Sequence, residues 1–254
     1  MALSTAGTML AAVLGAALGS FFNVVAYRMP RGLSLVKPRS RCPHCETQIR
    51  SYDNVPVLSW LLLRGKCRSC RAPISARYPV VEASTIVLCA LVALFVKGSP
   101  DVWLGLALVL LLVPVTLIDL DHRIIPNKLM VLGTVVALAL LGALAPDRLP
   151  EHLIAAFAAG GFFLVAVLAY PRGMGMGDVK LAFVLGLFLG RDVAPALFVA
   201  LVAGTLVGAV LIARKGAQEG RKTAIPSGPF LALGAVVALF AGDAMVDWYL
   251  ATFA

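Results

Sequence analysis

Residues 102–118 read VWLGLALVLLLVPVTLI, a run without a single charge, and the next residue is Asp119. A run of roughly 17–25 apolar residues is long enough to cross a bilayer as an α-helix. Seven further apolar runs lie at 7–25, 80–96, 129–145, 153–169, 181–190, 193–213 and 230–241. The run at 181–190 is too short to span alone unless it is tilted, re-entrant or continued by Arg191-Asp192. The run at 230–241 is also short, and 244–254 extends it only past Asp243. The expected fold is an all-α polytopic membrane protein with about eight transmembrane helices, six being the floor. Strands are not expected, because an open sheet edge cannot face lipid.

Composition points the same way. Of 254 residues, 60% are hydrophobic and 14% charged, against about 25% charged in soluble domains. The first apolar run has no basic residues ahead of it; Arg28 and Arg31 follow it. That order fits an N-out transmembrane helix better than a cleaved signal peptide. No strong internal repeat is evident.

Charge sets an expected orientation. The stretch 28–79 carries 11 of the 22 Lys and Arg residues, with only Glu46 and Asp53 as acids. The positive-inside rule makes it cytoplasmic. Alternating eight spans then places 119–128, 171–180 and 214–229 inside as well, with two, two and four basic residues, so 19 of 22 are inside. Lys97, Arg148 and Arg191 fall outside. If 181–190 did not cross, the basic cluster at 214–222 would move outside. A basic loop also raises the question of nucleic acid, but topology and contact with anionic headgroups account for these charges, so no nucleic-acid partner is expected and membrane lipids are. Three regions follow: 1–27 as the first transmembrane helix, 28–79 as a cytoplasmic basic four-Cys loop, and 80–254 as the membrane core.

The loop contains Cys42-Pro43-His44-Cys45 and Cys67-Arg68-Ser69-Cys70, a C-x2-C-x21-C-x2-C pattern. Two such knuckles suit four-thiolate zinc, which is tetrahedral and closed in structural sites. A reducing cytosol makes two disulfides the weaker reading. A loop of this size buries little core, so a zinc on Cys42, Cys45, Cys67 and Cys70 would hold it together. Cys89 reads as a small buried residue within a span.

Asp119 closes the third span and Asp178 opens the sixth, after Gly173-Met174-Gly175-Met176-Gly177. Two crossings separate them, which returns both to one membrane face. Ionisable residues in spans are costly to keep and are functional candidates by default. Two carboxyls close together in a partly dry site share a proton, which supplies an acid and a base at once. The plain alternative is a pair of solvated or capping aspartates, with Asp178 paired to Lys180. Alternating glycines before Asp178 favour the site, because they allow close backbone approach. Asp121 is the rival to Asp119, but it lies two residues further toward solvent beside His122 and Arg123. The pair Gly15-x-x-x-Gly19 suits helix packing. There is no H-E-x-x-H, G-x-S-x-G or P-loop.

These residues together resemble the type IV prepilin peptidases. The resemblance begins at Gly19-Ser20-Phe21-Phe22-Asn23-Val24-Val25-Ala26-Tyr27-Arg28-Met29-Pro30 and runs through both knuckles. It includes Asp53-Asn54-Val55-Pro56-Val57-Leu58-Ser59-Trp60, Arg64-Gly65-Lys66-Cys67, Arg77-Tyr78-Pro79 and Glu82. Asp119, seven residues before Pro126, and Asp178 in a G-x-G-D motif match the family's two aspartates. Ile225-Pro226-Ser227-Gly228-Pro229-Phe230 resembles its late signature, with Ser227 where Phe is more usual. Presenilin-like proteases share G-x-G-D, but the four-cysteine loop separates the two families.

The resemblance implies a bifunctional enzyme of the bacterial inner membrane serving type IV pili and type II secretion. It would cut the basic leader from prepilin and pseudopilin precursors at the cytoplasmic face, after the leader's last glycine. It would then methylate the new N-terminal amine, usually of a phenylalanine, with S-adenosylmethionine. No residues for the methyl donor are named by the sequence. An intramembrane protease of broader range and a proton- or cation-relaying transporter are the alternatives, the second disfavoured because both acids stand on one side.

Overall fold

The computed structural model describes residues 3–170, 174–216 and 225–253. Gly173 of the glycine run, Arg172 and the basic residues Arg221 and Lys222 therefore lie outside the described residues. Among those described, regular structure is helical, and extended pairing is confined to isolated bridges in the cysteine loop. Nine α-helices are described: α1 (Thr5–Arg28), α2 (Leu58–Leu62), α3 (Arg77–Phe95), α4 (Ser99–His122), α5 (Asn127–Leu144), α6 (Leu149–Ala169), α7 (Met176–Leu189), α8 (Val193–Lys215) and α9 (Gly228–Phe253). All but α2 are at least 14 residues long. The chain divides into two compact units, Ala2–Leu94 and Phe95–Ala254.

Seven described stretches are long and apolar enough to cross a membrane, and one of them, Met176–Arg214, runs to 39 residues. That stretch is a hairpin of two helices. α7 lies antiparallel to α6, with Gly160 against Phe183 and Gly190 against Glu151 and His152. The chain turns at Gly190–Asp192, and α8 then runs antiparallel to α9, with Gly242 against Asp192, Gly234 against Ala200 and Gly204 against Phe230. The short sixth run is thus one arm of a reversal, which gives the expected eight long helices. At about 1.5 Å per residue α7 covers about 21 Å, short of a hydrocarbon core of about 30 Å.

α4 and α7 are the inner helices of the second unit. α4 buries residues on every side, from Val102 and Leu104 to Ile118 and Asp119, and α7 buries nine of its fourteen residues. The outer helices turn apolar side chains outward: Val131 and Leu132 on α5, Phe157 and Leu168 on α6, Phe198 and Leu206 on α8. In water such a surface would be a large aggregation patch; in lipid it is the expected exterior. α9 continues through Asp243 to Phe253, because the Asp243 carboxylate leaves the helix side and pairs with Arg191 at 2.7 Å. Arg148 and Asp101 pair at 2.7 Å at the start of α4, the end remote from Asp119.

In the first unit, α1 and α3 pack through small residues. A Cβ at Gly15 would stand 2.9 Å from the Thr85 carbonyl, and one at Gly19 3.1 Å from Glu82 Cα. The Gly15-x-x-x-Gly19 pair therefore sets the closeness of these helices. Between them the loop is tied down by polar bonds. Glu82 of α3, buried, accepts the Val57 N–H at 2.7 Å. Trp60 Nε1 donates to the Ile74 carbonyl at 3.1 Å, and the Arg68 guanidinium grips both oxygens of Asp53 at 2.6–3.0 Å.

Candidate active site

The two candidate aspartates come from the ends of the two inner helices. α4 stops just beyond Asp119, because Arg123 turns into the left-handed region (φ 55°) and its N–H bonds back to the Asp119 carbonyl at 2.8 Å. Ile124, Ile125 and Pro126 then break the chain before α5. Asp119 is held in the last turn and is 4% exposed. Asp178 sits in the first turn of α7. Its Oδ2 accepts the Gly175 N–H at 3.0 Å, the returning half of a capping box. It is 6% exposed.

A third element joins them. Ser227 precedes α9, and its carbonyl accepts the N–H groups of Phe230 and Leu231 at 3.1 Å. Its hydroxyl donates to Asp178 Oδ1. The next residue, Gly228, donates its N–H to Asp119 Oδ2 at 2.8 Å. Adjacent residues of one helix start therefore hold both carboxylates, which lie within reach of each other's charge. A Cβ on Gly228 would stand 2.8 Å from Asp119 Oδ2, so only glycine fits. Asp119 Oδ1 has no bond among the described residues, whereas both oxygens of Asp178 accept one, from Ser227 and Gly175.

The glycines before Asp178 divide in their roles. A Cβ on Gly177 would press on Ile125 Cβ at 3.0 Å, so that glycine admits the α4–α5 turn. Gly175 has ordinary room around it. Lys180 does not pair with Asp178; it donates to Asn127 Oδ1 at 2.8 Å. Asp121 is exposed, whereas Asp119 and Asp178 are buried. Ser227 and Gly228 were visible in the sequence as part of a Pro/Gly signature, but nothing in that signature says that their hydroxyl and N–H meet the aspartates.

The four cysteines also come together, within the first unit. Their sulfurs all lie within 4.8 Å of one another, and Cys42 Sγ is 3.7 Å from Cys70 Sγ. A zinc about 2.3 Å from each of four sulfurs sets them about 3.8 Å apart, so the cluster fits that ion. The knuckles are one hairpin used twice, 25 positions apart. Cys42 N–H bonds to Thr47 O and Cys67 N–H to Ala72 O; Arg41 bridges Gln48 and Lys66 bridges Pro73; Glu46 and Arg71 both take positive φ. The Thr47 hydroxyl and N–H lower the Cys45 thiol to about 6, and backbone N–H groups of Cys70 and Ser69 lower that of Cys67, whereas the Cys70 thiol, despite the Ala72 backbone bond, is pushed up to about 11 by burial and its three cysteine neighbours.

Comparison with known proteins follows the same division. The bacterial peptidase A24 N-terminal domain matches residues 13–96, and the type IV leader peptidase family matches 106–213. A prepilin leader peptidase/N-methyltransferase of Stutzerimonas stutzeri is 36% identical over 94% of this chain and 92% of its own. Proteins of that name from Aeromonas hydrophila and Pseudomonas aeruginosa are 36% and 33% identical, over 93% and 94% of this chain and 91% of each relative. No solved structure matches. With both halves of the sequence matched, and relatives alike over nine-tenths of their length, the chain belongs to the type IV leader peptidase family.

Proposed function

We propose that the protein is a membrane aspartic endopeptidase that removes the leader from prepilin and pseudopilin precursors, and that it N-methylates the residue so exposed. The observation that carries the peptidase half is the convergence of two buried carboxylates on Ser227 and Gly228. The relatives' shared name supports both halves. Asp119 and Asp178 are the catalytic pair on this reading.

One carboxyl is ionised and the other protonated, as like charges in a dry site demand. The ionised one takes a proton from water while the water oxygen bonds to the scissile carbonyl carbon. The protonated one gives its proton to the carbonyl oxygen. The tetrahedral intermediate then collapses: one of its hydroxyls returns a proton to the carboxyl that had given one up, the C–N bond breaks, the amine leaves with the proton held by the other carboxyl, and the leader's carboxyl is released. Ser227 and Gly228 hold the two carboxylates in register throughout, which is the positioning that such chemistry needs.

The charge asymmetry of the sequence supports cutting at the cytoplasmic face of the bacterial inner membrane, where a precursor helix meets the aqueous phase. The methyl group comes from S-adenosylmethionine as second substrate: the new amine's lone pair bonds to the methyl carbon as its bond to the sulfonium breaks, which leaves S-adenosylhomocysteine and releases a proton. Cys42, Cys45, Cys67 and Cys70 would hold a structural zinc, which when bound supplies a closed tetrahedral cross-link between the knuckles. The three regions are assigned as first helix (1–27), metal-bound loop (28–79) and peptidase core (80–254). Incubating the purified protein with a prepilin-like precursor and methyl donor, and weighing the products, tests both halves. The expected product lacks the leader and is one methyl group heavier; an uncut precursor would overturn the reading.

A further inference from the structure

The unit Ala2–Leu94 carries a surface that neither the aspartates nor the cysteines use. On α2, Leu58, Leu61 and Leu62 are 56%, 57% and 75% exposed. Their spacing puts them on one helical face. The rest of α2 is anchored. Ser59 Oγ donates to the Tyr52 carbonyl at 3.0 Å and accepts the Val55 N–H at 3.1 Å, and Trp60 is bound to Ile74. Val57, immediately ahead, is bound to Glu82 in the second turn of α3. α3 is itself long and apolar enough to cross a membrane, and Tyr78 and Val80 stand exposed at its start. The leucine face is thus fixed beside the first turns of a membrane helix, at the level where bilayer meets water.

Directly after α2, Arg64, Lys66 and Arg71 join Leu62, Leu63 and Arg68 around a concavity of about 380 Å³. Arg68 is committed to Asp53. Arg64, Lys66 and Arg71 are exposed, and no acid pairs with them among the described residues. Arg64 and Arg71 also hold the left-handed backbone, at φ 52° and 61°, where glycine or asparagine would cost less. Long cations are kept at two strained positions, and both line the same hollow.

We propose that this hollow and the leucine face bind one anionic membrane phospholipid. The phosphate is held by Arg64, Lys66 and Arg71, and the acyl chains lie along Leu58, Leu61 and Leu62. Charge selects an anion, and the adjoining apolar face selects a lipid over a soluble phosphate. The bound lipid would hold the cysteine loop against the bilayer, in the manner of an interfacial helix backed by basic residues.

The test is native mass spectrometry of the full chain in detergent, titrated with phosphatidylglycerol or phosphatidylcholine. The wild type should retain one phosphatidylglycerol in preference to phosphatidylcholine. Each basic residue is worth about fivefold in affinity for an anionic surface, so R64Q/K66Q should weaken that binding at least about tenfold. L61S/L62S should weaken it as well, and glycerol 3-phosphate should not displace the lipid. Wild-type binding by R64Q/K66Q would overturn the proposal. So would indifference to L61S/L62S, or displacement by glycerol 3-phosphate, either of which would mark a site for soluble anions.

Discussion

The backbone N–H of Gly228 lies 2.8 Å from Asp119 Oδ2, across 109 positions of sequence. One residue earlier, the Ser227 hydroxyl meets Asp178. The start of α9 is therefore a third wall of the site, and it addresses both carboxylates with the two donors that a serine–glycine pair provides.

Gly228→Ala is expected to be the most damaging change outside the aspartates. Its Cβ would stand 2.8 Å from Oδ2 and 3.1 Å from Cγ of Asp119. Displacing a catalytic group by about 1 Å can cost about a hundredfold. Cleavage should fall by that order while the protein still accumulates in the membrane, read by product yield at matched protein amounts.

Ser227→Ala removes one donor from Asp178 and leaves the Gly175 bond in place. A hydrogen bond to a charged group is worth about 1.5–3 kcal/mol, so kcat should fall about ten- to a hundredfold. KM should change little, and Ser227→Thr should restore most of the rate. A serine that only capped α9 would instead show its loss in thermal stability.

The cysteine cluster is expected to carry about one zinc per chain, measured by elemental analysis of purified protein. C42S/C67S should lose it, because each knuckle then offers a single thiolate. Loop amides should exchange faster in that variant.

The Asp53–Arg68 fork gives a pH dependence confined to the loop. Arg68 beside Asp53 holds its carboxyl below the ordinary carboxylate value. A depressed folded value means that the stabilisation is full above the unfolded value, about 3.9, and is lost as pH falls below it. Asp53→Asn should therefore speed hydrogen exchange of the loop at pH 7, and the difference from wild type should close toward pH 3.

Much of this was legible in the sequence because lipid leaves helices few alternatives. Runs such as 102–118 could be read directly, and Asp119 and Asp178 stood out as carboxylates at the ends of apolar runs. α7 was harder: at 14 residues it is shorter than a span, and only its pairing with α6 and the turn at Gly190–Asp192 make it one arm of a hairpin. The reach of α9 was hidden by Asp243, which looks like an end until Arg191 is found beside it. The two knuckles could be read from their cysteines, but not their common hairpin backbone, because the copies share little beyond the cysteines, a preceding cation and a following isoleucine. The roles of Ser227 and Gly228 depend on contacts 49 and 109 positions away, which no local pattern encodes.

The most direct measurement is cleavage of a prepilin-like precursor by membranes containing wild type, Asp119→Asn or Asp178→Asn, read by mass spectrometry. Each substitution keeps the side chain's shape but removes its ability to carry the shared proton. The expected result is a leaderless product from wild type and none from either variant, with all three proteins present at equal amounts. Cutting by either variant at near wild-type rate would contradict the account.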